Sequence, residues 1–436
     1  MKAHELQAAV VILLLLLALS AIKQGGYQAS AAEENYLRLE TPKALYLIHQ
    51  SLVDSYGQET FSRLLNLVDE RFDKIMNITG WSSERFYRHK LEVTVDPLKY
   101  PIYEDNPMEG FGADGRVYIQ IRTDFISTNA TLNTVDGFPS WVINGFLHEM
   151  IHGITPSTIL NRRWLCEGYA CFLSMEVQVS FGDITRNEAN DRYQRSWEPY
   201  VRDGFLDFHF SGNRTIQDGW GYFITAWMLN NITETYGWEN HERFFKLLPD
   251  EYLEFMPSFV YSRSENCTYN YCFDSLIVGY YSLAAGTNLF PDFKSWGFRF
   301  LPNPITTICL NGTRAQNHAF TSGVTVSLSG MGENSIGRID YSFDRKTWNT
   351  YAEPFLVSEN RILYYRSTDI KGNTGPITSI GLRVDSNSPT QPQPEPFPII
   401  LVAAALVSMA GVCASLLWYF KKKHRRATDI YSCLLS

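Results

Sequence analysis

The segment Phe146-Leu147-His148-Glu149-Met150-Ile151-His152 places two histidines four residues apart, with a glutamate directly after the first. On a helix, positions i and i+4 share a face. His148 and His152 can therefore present two imidazole nitrogens to one Zn2+ at about 2.0–2.1 Å. Glu149 stands one position round, beside the coordination position left open, where a carboxylate can take a proton from an attacking water. Val142, Ile143, Phe146, Leu147, Met150 and Ile151 make the rest of this helix apolar. A buried helix does not normally hold two histidines and a carboxylate unless they are ligated or paired. The third ligand expected is Glu167, in Arg163-Trp164-Leu165-Cys166-Glu167-Gly168-Tyr169-Ala170, fourteen residues beyond His152. That spacing leaves room for a loop and the first turn of a second helix, and Gly168 and Ala170 permit close approach of the two helices. His209, His241 and His318 have no ligand-like spacing and read as ordinary histidines.

HEMIH followed by WLCEGYA resembles the gluzincin metallopeptidases of peptidase clan MA, on the branch nearer the aminopeptidase-N family. The resemblance implies His148, His152 and Glu167 as zinc ligands and Glu149 as general base. Two departures set the chain apart. Its His-to-Glu spacing is shorter than in the aminopeptidases. Position 171 is Cys, where thermolysin-like enzymes place an Asp behind the ligands, four residues after the ligand Glu. The stretch from Gly219 to Leu229, leading to Thr235-Tyr236-Gly237-Trp238-Glu239, looks like the clan's downstream helix. That likeness implies Tyr222 as the phenol that donates a hydrogen bond to the developing oxyanion, a role a phenol can fill. Gly110 to Ile121 resembles the clan's substrate-aligning edge strand, with which an extended peptide can pair. Met108-Glu109-Gly110 resembles the Met-Glu-Asn motif by which aminopeptidases hold a free amine, with Gly110 in place of Asn, and so points to Glu109 as a substrate-binding residue.

The elements that must position these residues belong to a mixed α/β (α+β) region, residues 33–300. Helical spacing of Phe61, Leu64, Leu65, Leu67, Val68, Phe72, Ile75 and Met76 predicts a helix over Glu59–Thr79. Alternation predicts strands over Lys90–Asp96 and Arg116–Arg122, with Gly110, Gly112 and Gly115 marking the turn before the second. From residue 140 to about 250 the pattern is helical, with Ser140 as the expected cap of the metal-site helix. Residues 303–386 change to short alternating runs separated by turn residues, the pattern of an all-β sandwich. IDYSFDRKTWNTYAEPF and ILYYRSTDIKGNTG resemble the immunoglobulin-like modules appended to many prokaryotic surface enzymes, which implies a spacer or a contact with cell wall or surface layer.

Residues 1–32 have the order of a secretory signal peptide: Lys2 and His4, the apolar run Ala8 to Ile22, then small residues Ala29-Ser30-Ala31-Ala32. An uncleaved N-terminal anchor is the alternative. Prolines 389, 392, 394, 396 and 398 make residues 387–398 a semi-rigid stalk. Ile399 to Phe420 carries no charge over 22 residues, enough for one transmembrane helix. Lys421, Lys422, Lys423, Arg425 and Arg426 then mark residues 421–436 as a cytoplasmic basic tail, which puts the rest of the chain outside the cell. Of the net charge of −8, that tail contributes +4, leaving −12 for the remainder, which argues against a nucleic-acid partner.

Cys267 and Cys272 bracket a polar loop and are expected to close a small disulfide. Cys166 and Cys171 point to different sides of one helix, and Cys309 has no assigned partner. Sequons at Asn77, Asn129, Asn213, Asn231, Asn266 and Asn311 are compatible with glycosylation. The reading is a single-pass, outward-facing peptidase of one zinc ion acting on peptides or proteins: a zincin-like domain, an immunoglobulin-like sandwich and one C-terminal membrane helix. Its rivals are an aminopeptidase, a zinc hydrolase of a non-peptide bond, and a non-catalytic adhesion protein on the same fold.

Overall fold

The structure, a computed structural model, describes residues 28–33, 35–98, 108–122, 134–160, 162–202, 222–254, 258–260, 269–300, 303–315 and 319–385. Strands Gln28–Glu33 (β1), Tyr36–Glu40 (β2), Ala44–His49 (β3), Leu91–Pro97 (β4), Met108–Ala113 (β5) and Arg116–Ile121 (β6) form one sheet in the order β1-β2-β3-β4-β6-β5. β3, β4 and β6 run parallel, and β5 closes the end of the sheet antiparallel to β6. Parallel neighbours need a crossover, which Gln50–Tyr56 (α1), Gln58–Thr79 (α2) and Ser83–Tyr87 (α3) supply between β3 and β4. Tyr46, Ile48, Val93, Val95, Val117, Ile119 and Ile121 alternate along three strands and are all buried. Tyr46 sends its hydroxyl from β3 to Asp69 of α2 at 2.6 Å. Each such fully buried apolar side chain stabilises the fold by about 1.5–3 kcal/mol. α2 stops where Gly80 takes a left-handed conformation, φ 67°, and returns its N–H to Met76 O.

Thr134–Val135 (β7) and Phe138–Pro139 (β8) make a hairpin turned by Asp136 and Gly137, both at positive φ, as a tight hairpin turn requires. The hairpin feeds Ser140–Ile154 (α4) directly. The residue capping this helix is Pro139, without a side-chain cap bond, and Ser140 is instead its first helical residue. After Ser157–Leu160 (α5) come Arg163–Phe181 (α6), Arg186–Arg202 (α7), Tyr222–Tyr236 (α8), Glu239–Leu247 (α9), Asp250–Glu254 (α10), the strand Ser258–Val260 (β9), Tyr269–Ala285 (α11) and Phe290–Ser295 (α12). α6 is buried from Trp164 to Gln178.

The remaining strands are Ile305–Asn311 (β10), Val324–Met331 (β11), Ile336–Ser342 (β12), Asn349–Thr350 (β13), Phe355–Val357 (β14), Arg361–Asp369 (β15) and Ile377–Leu382 (β16). They form two sheets, β10-β11-β14 and β13-β12-β15-β16-β9. The second sheet borrows β9 from the helical region, pairing Val260 with Ile377. Tyr280 of α11 donates to Ile308 O at 2.8 Å, and Tyr252 of α10 meets Tyr365 hydroxyl to hydroxyl. The expected break near residue 300 is therefore crossed by backbone pairing and buried polar contacts. One compact unit runs through Asn311 and resumes over Thr325–Leu382. A smaller one joins Gly312–Val324 to Arg383–Asp385 among the described residues, where buried Phe320 bonds to Arg383 and Asp385 and carries the Arg314 guanidinium over its ring.

Residues Gln28–Glu33, which overlap the expected signal cleavage region, pair with β2 as a strand, while residues 1–27 lie outside the described residues. The stalk, the candidate span 399–420 and the basic tail also lie outside them. Among the described residues, no helix is long and apolar enough to cross a membrane.

Candidate metal centre

α4 presents His148, Glu149 and His152, and α6 presents Glu167. The two helices are laced by side chains: Asn144 donates to Ser174 Oγ at 3.1 Å and to Gln178 Oε1 at 3.0 Å, and Gln178 returns a bond to Ser140 O at 2.7 Å. The start of α6 is held by a buried pair. Arg162 donates to both carboxylate oxygens of Asp274 on α11, at 2.8 and 2.6 Å, and Trp164 Nε1 donates to the same carboxylate at 2.9 Å. On the far side, a Cβ on Gly168 would lie 2.6 Å from Thr225 Cβ, so only glycine lets α8 lie this close beside the residue next to Glu167.

The three expected ligands converge. His148 Nε2 and His152 Nε2 are 3.1 Å apart, and Glu167 Oε2 lies 3.3 Å from the first and 3.2 Å from the second. Donor atoms bound tetrahedrally at zinc distances stand roughly 3.3–3.4 Å apart, so the triangle has the size that one such ion requires. A second observation is independent of size. Glu167 Oε2 is buried and has no hydrogen-bond partner, although two imidazoles face it. A buried carboxylate oxygen left without a donor is destabilising, and a cation at the centre of the triangle removes that penalty. Among the described residues, this is the one cluster of three or more His, Cys, Asp or Glu that could hold a metal ion. Burial acts to raise the Glu167 pKa, but the two imidazoles outweigh it and hold the carboxyl at about 2, so it is ionised and ready to ligate.

Glu149 sits differently. Burial lifts its carboxyl to about 7, with His148 opposing and Glu167 adding. A dication at the neighbouring ligands favours its ionised form. β5 lies against α4 on this side. The positions that face the helix are Met108, Gly110 and Gly112: Met108 Sδ meets Gly145, and Cβ atoms on the two glycines would meet Glu149, His152 and Gly153. Strand alternation then puts Glu109 on the opposite face, with Phe111, which is 64% exposed. Glu109 is thus not brought to Glu149's side of the strand. Tyr222 is the first residue of α8, one turn before Thr225, and its side chain is outside the described residues.

Several contributors were not anticipated from the sequence. Cys166 Sγ lies 3.0 Å from His152 Nδ1, and Cys171 Sγ lies 3.7 Å from His148 Nδ1. Burial pushes both thiols well up, with the carboxylates of Glu167 and Glu149 adding, so both are neutral. The two sides of α6 each face a different imidazole, which is why cysteines five apart both border one site. Gly110 and Gly112 belong to β5 itself, and the turn before β6 is made by Asp114 and Gly115. Glycine at alternate positions, Gly110 and Gly112, was the available signal for a strand face pressed on backbone. His241 is an ordinary buried histidine, as read, bonding Leu229 O and Thr233. Asn77 and Asn311 are exposed and Asn231 is half-buried, while Asn129, Asn213 and Asn266 lie outside the described residues. Cys272 is buried and Cys267 lies outside them.

No protein-family model matches the sequence, and no curated protein does. Among solved structures the chain is similar to a functionally unknown conserved protein from Bacillus anthracis str. Ames, at TM-score 0.38 and 15% identity over 80% of this chain and 72% of that one. It is also similar to the ZmpB metallopeptidase from Clostridium perfringens, at TM-score 0.35 and 14% identity over 79% and 68%. The catalytic module of the metalloprotease ZmpA from Clostridium perfringens follows, at TM-score 0.29 and 14% identity over 79% and 68%. At these scores the likeness decides nothing about function, which has to come from the side chains.

Proposed function

We propose that the protein is a zinc-dependent peptidase of gluzincin type, cutting peptide bonds within a chain, and that residues 399–420 anchor it in the membrane with residues 33–386 outside the cell. The observation that carries the peptidase reading is the triangle of His148, His152 and Glu167, whose buried Oε2 faces both imidazoles and receives no hydrogen bond. These three residues hold the ion, and Cys166 and Cys171 border the imidazole nitrogens that face away from it. Zn2+ bound there would supply Lewis acidity for the scissile carbonyl and would lower the pKa of an attacking water. Glu149 takes the proton of the attacking water and returns it to the leaving amine nitrogen. Tyr222 is the proposed donor to the developing oxyanion. An extended substrate pairs with β5, which ends its sheet and passes directly beside Glu149. The two sheets of residues 303–386 serve as an immunoglobulin-like spacer.

Internal cleavage is favoured over trimming from the amino end, because the glutamate that would hold a free amine, Glu109, is on the strand face turned away from Gly110 and Glu149. A non-catalytic adhesion role leaves Glu149, beside the triangle, without a purpose. The test is mass spectrometry of a peptide mixture incubated with the purified protein and with Glu149→Gln. Products with new internal ends from the wild type alone are expected. Equal products from both proteins, or none from either with zinc bound, would sink the peptidase reading.

A further inference from the structure

We propose that Gly110 is the positioning residue of the general base: β5 omits a side chain there so that the Glu149 side chain can lie against the strand backbone. The inference rests on the peptidase reading above.

The two glycines of β5 that face α4 do different things. A Cβ on Gly112 would meet backbone and near-backbone atoms, lying 2.9 Å from both Gly153 N and His152 Cβ and closer still to Glu149 O. Gly112 therefore sets how near the strand lies to the helix. A Cβ on Gly110 has as its three nearest neighbours Cγ, Cδ and Oε1 of Glu149, the last at 2.7 Å and the first two nearer. The space at Gly110 is filled by the general base and not by the helix. Helix geometry alone leaves the three side-chain torsions of a glutamate free, and fixing such a chain costs roughly 1.5–2 kcal/mol of rotamer entropy. The strand surface at Gly110 supplies a wall that keeps Glu149 beside the ligand triangle. Any Cβ at 110 displaces the carboxyl while leaving His148, His152 and Glu167 where they are, because none of them is among the nearest neighbours of that position.

The experiment compares full-length wild type, Gly110→Ala, Glu149→Ala and the double variant. Measured for each are kcat and KM on a cleaved peptide, zinc affinity by competition with a chromophoric chelator, and the melting temperature of the metal-free protein. Gly110→Ala is expected to lower kcat about 10²-fold, the loss that an ångström of misplacement brings, with KM and zinc affinity unchanged. Glu149→Ala is slow by itself because it has no base. Adding Gly110→Ala to it is expected to cost little more, because Cγ, Cδ and Oε1, the atoms a Cβ at 110 would meet, are all gone. An equal loss in both backgrounds, a loss that falls on KM, or weakened zinc binding would overturn the proposal and make Gly110 a residue of substrate contact or of the fold. Should the wild type show no Glu149-dependent cleavage, the peptidase reading fails, and the melting temperatures still decide the contact. Gly110→Ala should then lower the midpoint with Glu at 149 and leave it unchanged alongside Glu149→Ala. Gly112→Ala should lower it in both.

Discussion

Glu167 and Glu176 stand nine residues apart on α6, at 8% and 5% exposure, and they are opposites. Glu176 is fully served: Arg186 donates to its two oxygens at 2.6 and 2.7 Å, and Tyr193 adds a bond at 3.2 Å. Glu167 Oε2 faces two imidazoles and receives no hydrogen bond. The same contrast divides the histidines. His241 is neutral and bonded, with Leu229 O and Thr233 at Nε2 and the Tyr281 hydroxyl 3.4 Å from Nδ1. His148 and His152 instead turn Nε2 toward each other and toward a carboxylate. Buried polar groups that satisfy one another support a fold, whereas buried polar groups aimed at a common point await a ligand.

Exchanging the carboxylates for amides or methyls separates the two kinds. Glu167→Gln is expected to weaken zinc binding by more than the roughly 10–100-fold that loss of a group behind a metal ligand brings. Isothermal titration checks this. If zinc affinity survives, Glu167 is not a ligand. Glu176→Ala should do the reverse, lowering stability by about 2–3 kcal/mol while zinc binding persists. The figure is below that of a fully buried broken pair because Arg186 remains part exposed. Chemical denaturation reads this directly.

The histidine half of the comparison predicts a pH dependence. Burial holds His241 down to about 3, against 6.5 for a free histidine. The unfolded chain binds a proton below 6.5 that the folded chain refuses, so this group's effect is absent above pH 6.5. Stability is then lost as pH falls toward 3. The slope is about 1.4 kcal/mol per pH unit, so roughly that much is gone by pH 5.5. Denaturation curves at pH 7 and 5.5 should differ less in His241→Gln than in the wild type, and an equal difference would show that His241 takes up its proton without unfolding.

The triangle of His148, His152 and Glu167 was legible because the i,i+4 spacing of the two histidines fixes a face, and because Glu167 stands among Trp164, Leu165 and Tyr169. α2 and the strands β4 and β6 were equally plain, at 58–79, 91–97 and 116–121, from their apolar periods. What stayed hidden depends on which elements become neighbours. Glycine reads as a turn when seen alone, so Gly110 and Gly112 showed their purpose only once β5 lay on α4. Cys166 and Cys171 point to different sides of α6, and nothing local reveals that each side holds one imidazole. β9 is too short for periodicity to announce it, and its partner β16 comes more than a hundred residues later. Pro139 caps α4 because the β7–β8 hairpin delivers the chain there, whatever the preference of Ser140.

In the proposed site, one zinc ion is held by two imidazoles and a carboxylate while the adjacent thiols stay off the metal. X-ray absorption at the zinc edge of stoichiometrically loaded protein tests it most directly. One zinc per chain with only nitrogen and oxygen neighbours at about 2.0–2.1 Å is predicted. A sulfur neighbour at about 2.3 Å would contradict it and make Cys166 or Cys171 a ligand in place of His148, His152 or Glu167.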